Sequence, residues 1–172
     1  MRWTSRGLLI RLRQGYYTFP EYLSKADYSF YFANRIYRPS YVSLHSALAF
    51  YGIIPEAVTQ ITSVTSLKTA SFSNPAGKFT YRSVREDLMF GYLTKPISDG
   101  HNVLFATPEK AILDLLYLHP FYNNSSEMRE LRFDDYFMSE ELNKDLLLEY
   151  SSRINNIALN RRIKLLLISY AL

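Results

Sequence analysis

Cysteine is absent from the chain, which excludes a disulfide framework, thiolate metal sites and a thiol nucleophile. Glycine is scarce, six in 172 residues, and none falls in a G-x-G-x-x-G or P-loop arrangement that would cradle a phosphate. A G-x-S-x-G elbow is missing, as is an Asp-x-Asp pair of the kind that holds metal in a nucleotidyltransferase. Asp134 and Asp135 are adjacent, so on a strand they would point to opposite faces. The three histidines, His45, His101 and His119, fall on separate elements without metal-ligand spacing. A nuclease-like site would have to recruit Asp87, Glu109 and Lys110 through the fold. No apolar run reaches the length of a membrane span, and Arg2, Arg6, Arg11 and Arg13 interleave with Leu and Ile rather than preceding a signal-type core. The expectation is a cytoplasmic protein with no catalytic residue, metal, cofactor or membrane partner, one that acts by binding.

What is present is aromatic. Tyr (15) and Phe (11) bring the aromatic content to 16% within a hydrophobic content of 48%, a globular composition that suits strands and half-wet interfaces. The length allows one sizeable domain plus a fragment of another. A net charge of +4 is compatible with nucleic acid without demanding it. Basic residues gather at the two ends, whereas 127–149 is dominated by Asp and Glu.

Alternation over 6–19 predicts a β-hairpin, with Leu8, Ile10 and Leu12 on one face, Leu9, Arg11 and Arg13 on the other, and a turn at Gln14-Gly15. The aromatic stretch 22–34 fits a short helix or a strand equally. A helix opens at Ser43, repeats Leu44, Ala47, Leu48 and Tyr51, and ends at Gly52. Strands are predicted over 60–64, 78–84, 90–95 and 101–106, with 66–78 a loop and Asp99-Gly100 a turn. Thr107-Pro108-Glu109 is a strong helix start, continued by a stripe of Ala111, Ile112, Leu115, Leu116 and Leu118 and stopped at Pro120. Glu109, Lys110 and Asp114 are placed on its polar side. The stretch 123–135 is irregular or one short helix. Ser139 opens another helix, Asn155-Asn156 breaks it, and a last helix over 157–170 is apolar around most of its girth. Strands mixed with flanking helices make the class α+β, a mixed sheet preceded by a wing-like hairpin.

Three phrases in this order, YVSLHSALAFYGIIP, the strand ITSVT and ATPEKAILDLLYLHP, cover with their surroundings about half the chain. Together they resemble the C-terminal domain of the AbiEi family of bacterial antitoxins, of type IV toxin–antitoxin (abortive infection) systems. The resemblance implies an antitoxin that opposes a nucleotidyltransferase toxin, with no direct complex required, and contributes to transcriptional autorepression through an N-terminal winged helix-turn-helix. In that reading 1–20 is a truncated or degenerate remnant, its wing, and 21–172 is the antitoxin domain.

The candidate DNA-contacting residues are Arg6, Arg11 and Arg13, which would touch phosphates without reading sequence; solvated arginines on an edge hairpin are the alternative. The candidate antitoxic surface is the basic side of the last helix, Arg161, Arg162 and Lys164, with Leu165 and Ile168 among them. A nucleic-acid-binding regulator without a toxin is the alternative function, and a metal-dependent nuclease the third.

Overall fold

A computed structural model describes residues 3, 4 and 6–171. The chain is α+β, with a six-stranded mixed sheet, flanking helices and a separate two-stranded hairpin. Its contacts divide it into two units, Met1–Val42, Thr59–Met89 and Leu93–Phe105 forming the first, and Ser43–Val58, Phe90–Tyr92 and Ala106–Leu172 the second.

In the first unit β1 (Ile10–Arg13) and β2 (Tyr16–Thr18) make the expected antiparallel hairpin. The aromatic stretch resolves as a 3-10 turn, Pro20–Ser24, and then α1 (Tyr28–Ile36). Helix prevails over strand because Tyr28, Phe32 and Ile36, spaced by four, are all buried. The sheet is built from β3 (Ser40–Val42), β4 (Ile61–Thr65), β5 (Ala70–Asn74), β6 (Gly77–Ser83), β7 (Tyr92–Pro96) and β8 (Asn102–Ala106) in the order β5-β6-β4-β3-β8-β7. β4 runs antiparallel to β3 and parallel to β6, while β3 is parallel to β8. Phe79 and Tyr81 of β6 are fully buried, and the Tyr81 hydroxyl donates to the Ala33 carbonyl of α1 at 2.7 Å. Asn34 accepts from the Leu104 N–H at 2.5 Å, tying α1 to the β8 backbone.

Strand β5 replaces part of the loop expected over 66–78. Its only bulky apolar residue is Phe72, but at a sheet edge the backbone ladder to β6, with Phe72 opposite Phe79, suffices to hold a polar strand. The Asn74 side chain accepts from the Ala76 N–H at 2.8 Å to shape the following turn and donates to the Leu12 carbonyl at 3.0 Å. The hairpin thus shares a unit with the sheet.

The second unit is helical: α2 (Leu44–Phe50), α3 (Pro108–Leu118), α4 (Ser125–Glu130), α5 (Lys144–Ile154) and α6 (Ile157–Ser169). Gly52, at φ 71°, ends α2 with the paired bonds Gly52 N–H to Ala49 and Ile53 N–H to Leu48, a reversal that favours glycine. The Asn143 side chain accepts from the Leu146 N–H at 3.0 Å to start α5. The start expected at Ser139 falls instead in a π-type turn, Phe137–Glu141, which buries Phe137 and Met138. Asn155 ends α5 in the left-handed region, and Asn156 caps α6 by accepting from the Leu159 N–H at 2.9 Å. α3 packs against α2, α5 and α6, which encloses Ile112, Leu115 and Leu116. Among the described residues no helix is long and apolar enough to cross a membrane.

Candidate functional site

Two of the three sequence phrases, those that form α2 and α3, meet inside the second unit, while ITSVT forms β4 in the first. Thr107 caps α3, its hydroxyl oxygen accepting from the Lys110 N–H at 3.2 Å. Glu109, 4% exposed, accepts from the Asn143 N–H at 3.1 Å, joining the first turn of α3 to the start of α5. The Lys110 ammonium pairs with the Asp114 carboxylate, whose other oxygen accepts from the Ser43 hydroxyl at 2.8 Å. Glu109, Lys110 and Asp114, expected on a polar face, are therefore core residues, because ion pair and hydrogen bonds supply what water would otherwise provide. Ser43 keeps the N-cap position of α2, yet it makes no capping bond through its side chain; its hydroxyl goes to Asp114 instead. The next residue, Leu44, is buried with φ at 57°, a left-handed conformation costly for a branched side chain.

A serine, a lysine and a carboxylate this close would suit nucleophilic chemistry in an open cleft. Here Ser43 and Lys110 are 0% exposed, so the cluster is closed to solvent in this structure. The Lys110 ammonium also lies 5.0 Å from the centre of the Phe90 ring, with the Arg153 guanidinium 4.0 Å from the same ring. Asp87 is exposed and paired with Arg85 at 2.7 Å, so Asp87, Glu109 and Lys110 sit in unlike environments.

The hairpin arginines divide. Arg6 and Arg11 are exposed. Arg13 is half-buried: its guanidinium donates to the Ile36 carbonyl at 2.5 Å and lies 5.1 Å and 4.6 Å from the Tyr37 and Phe72 ring centres. Simple alternation placed Arg11 and Arg13 together; a register shift between them interrupts that alternation.

The last helix divides likewise. Arg161 and Lys164, with Asn123, Ile157, Asn160, Leu165 and Ile168, line a groove of about 570 Å³. Ile157 and Ile168 are 88% and 72% exposed. Arg162 is buried, its Nε donating to the Leu116 carbonyl at 3.0 Å, and burial lowers its pKa. Position 162 lies on the face of Leu159, Ile163 and Leu166, a spacing already visible in the sequence.

The fold also brings together two histidines that the sequence kept apart. The rings of His45 and His119 meet edge to face at 6.2 Å, with His119 Nδ1 3.0 Å from the Leu115 carbonyl. Burial, then the neighbouring His119, lowers the His45 pKa, with Glu56 acting the other way. His101 belongs to the first unit, stacked on Tyr31 at 4.8 Å. Among the described residues no three of His, Asp and Glu form a metal-holding group. No protein-family model matches the chain, and no curated protein matches it.

Proposed function

We propose that the chain is an antitoxin-type binding protein, similar to the AbiEi family, that opposes a nucleotidyltransferase toxin in the cytoplasm without catalysing a reaction. The observation that carries this reading is the Ser43–Asp114 hydrogen bond, which spans 71 positions of sequence. It joins the helix of the first phrase to the helix of the last, and this packing of the two phrases in one unit supports the reading. Buried signatures leave the exposed surface to carry the activity, and the groove of Arg161 and Lys164 is the surface offered for it. The exposed Arg6 and Arg11 favour a second reading, a nucleic-acid-binding regulator with no toxin.

The test starts from the neighbouring gene, where a nucleotidyltransferase reading frame is expected. Cells expressing that enzyme should stop growing and recover when this chain is expressed in trans. Growth arrest that persists despite abundant folded protein would defeat the antitoxin reading and leave the regulator.

A further inference from the structure

The first unit holds a cleft of about 540 Å³ whose walls are largely aromatic, a volume within the roughly 300–1,000 Å³ of ligand sites. Phe19 and Tyr16 on the hairpin side are 55% and 38% exposed. From Phe19 the rings run on as a ladder: Tyr22 at 6.4 Å, Tyr28 stacked on Tyr22 at 4.7 Å, Tyr31 at 5.7 Å from Tyr28, and His101 stacked on Tyr31 at 4.8 Å. The ladder is braced from behind, where the Tyr28 hydroxyl donates to Asp99 at 2.9 Å and Lys25 pairs with the same carboxylate. Two exposed guanidiniums, Arg35 and Arg38, complete the lining, which contains no Asp or Glu.

Aromatic side chains that served packing alone would be covered. Phe19 and Tyr16 stand in water, and Tyr22, Tyr31 and His101 in part, around a buried Tyr28; with two guanidiniums and no carboxylate in the lining itself, this edge matches the repeating chemistry of bases on a phosphate backbone. We infer that this cleft binds single-stranded nucleic acid, with bases stacking on Phe19 and Tyr16 and phosphates meeting Arg35 and Arg38. Aromatic grooves also dock proline-rich peptides, but such a backbone is uncharged and makes no use of paired guanidiniums. The inference is independent of the antitoxin reading and assigns the cleft a ligand distinct from any toxin.

Fluorescence anisotropy of the full chain with labelled oligo-dT and oligo-rU of about ten nucleotides tests it. Binding is expected for the single strands, weaker for duplex of the same length and much weaker for a mononucleotide. Phe19→Ala and Tyr16→Ala should each reduce affinity by about tenfold. Arg35→Ala and Arg38→Ala should reduce it and flatten its salt dependence. All four residues are exposed, so the thermal transition should hold; if Phe19→Ala unfolds the protein, Phe19→Leu keeps the apolar bulk, removes the stacking face and should show the same loss. The inference is overturned by absence of single-strand binding, by indifference of binding to these variants, by a mononucleotide binding as tightly as the strand, or by a proline-rich peptide binding where the strands do not.

Discussion

Lys110 and Asp114 form an ion pair one helical turn apart with 0% and 2% of their side chains exposed. A pair at this spacing on a helix surface would stabilise by only ~0.2–0.5 kcal/mol. Enclosure changes the arithmetic, because removing one partner strands the other charge without water. Lys110→Met is expected to cost about 3–5 kcal/mol, read from urea unfolding. Lys110→Met with Asp114→Leu should recover part of that loss, leaving about 1–3 kcal/mol for the broken Ser43–Asp114 hydrogen bond. A single change costing under about 1 kcal/mol would mean that water reaches the pair.

Gly91 faces the same lysine. It has φ at 70°, and a Cβ added there would stand 2.9 Å from Tyr150 and 3.0 Å from the Lys110 side chain. Its carbonyl accepts from the Thr107 N–H at 3.0 Å, so the backbone is held at the start of α3. Gly91→Ala should destabilise by about 1–3 kcal/mol from crowding and the left-handed conformation together, seen as a lowered thermal midpoint. An unchanged midpoint would show that the segment shifts freely.

The hairpin arginines should separate in a salt titration of duplex DNA binding. Arg6→Ala and Arg11→Ala should each lower the slope of log affinity against log salt by roughly 0.9, one phosphate contact apiece, and leave folding intact. Arg13→Ala should act through stability, costing about 1–3 kcal/mol as its carbonyl and ring contacts are lost. Equal slopes for all variants would favour solvated edge arginines.

On α6, Arg161→Glu and Lys164→Glu should keep stability within about 0.5 kcal/mol while impairing rescue from the toxin. Arg162→Met should lower stability by about 1–3 kcal/mol because the Leu116 carbonyl loses its donor. Rescue that survives reversal of Arg161 and Lys164 would move the functional surface to another face, such as that of Lys78 and Arg82, both exposed on β6.

His45 gives the pH dependence. His45 reaches the surface, and partial burial of its ring together with His119 lowers its folded-state pKa. Between the ordinary histidine value and the lowered one, the unfolded chain holds more protons, so stability falls as pH falls through that window and levels off below it. His45→Gln should remove this decline. Thermal unfolding followed from about pH 7.5 to about pH 5 should show the wild type losing ground to the variant on acidification; a constant difference would exclude the effect.

Local chemistry was legible in the sequence, and convergence was not. Thr107-Pro108-Glu109 and Gly52 announce helix ends through interactions within a few residues, and both ends are where the pattern placed them. Strand β5 was hidden because its stability comes from the ladder to β6, not from its own Ser and Asn side chains. The burial of Lys110 and Asp114 depends on Ser43, 71 positions from Asp114, and no short window contains that fact. Arg162 is the exception: the spacing of Leu159, Ile163 and Leu166 puts it on the covered face, although its charge argues for the exposed one. The aromatic cleft lay between these extremes. Its rings were conspicuous from Tyr22 to Phe32, whereas their alignment with Phe19 and His101 is made only by the fold.

The chain passes back and forth between its two units, and the second draws on Ser43–Val58, Phe90–Tyr92 and Ala106–Leu172. A gene broken at any codon from 43 to 105 would encode neither unit whole. Each is thus barred from moving as a cassette: fusion, duplication or exchange by recombination must carry the pair. A change that alters the aromatic cleft and one that alters the α6 groove can arise separately by point substitution, but they are inherited and transferred as one.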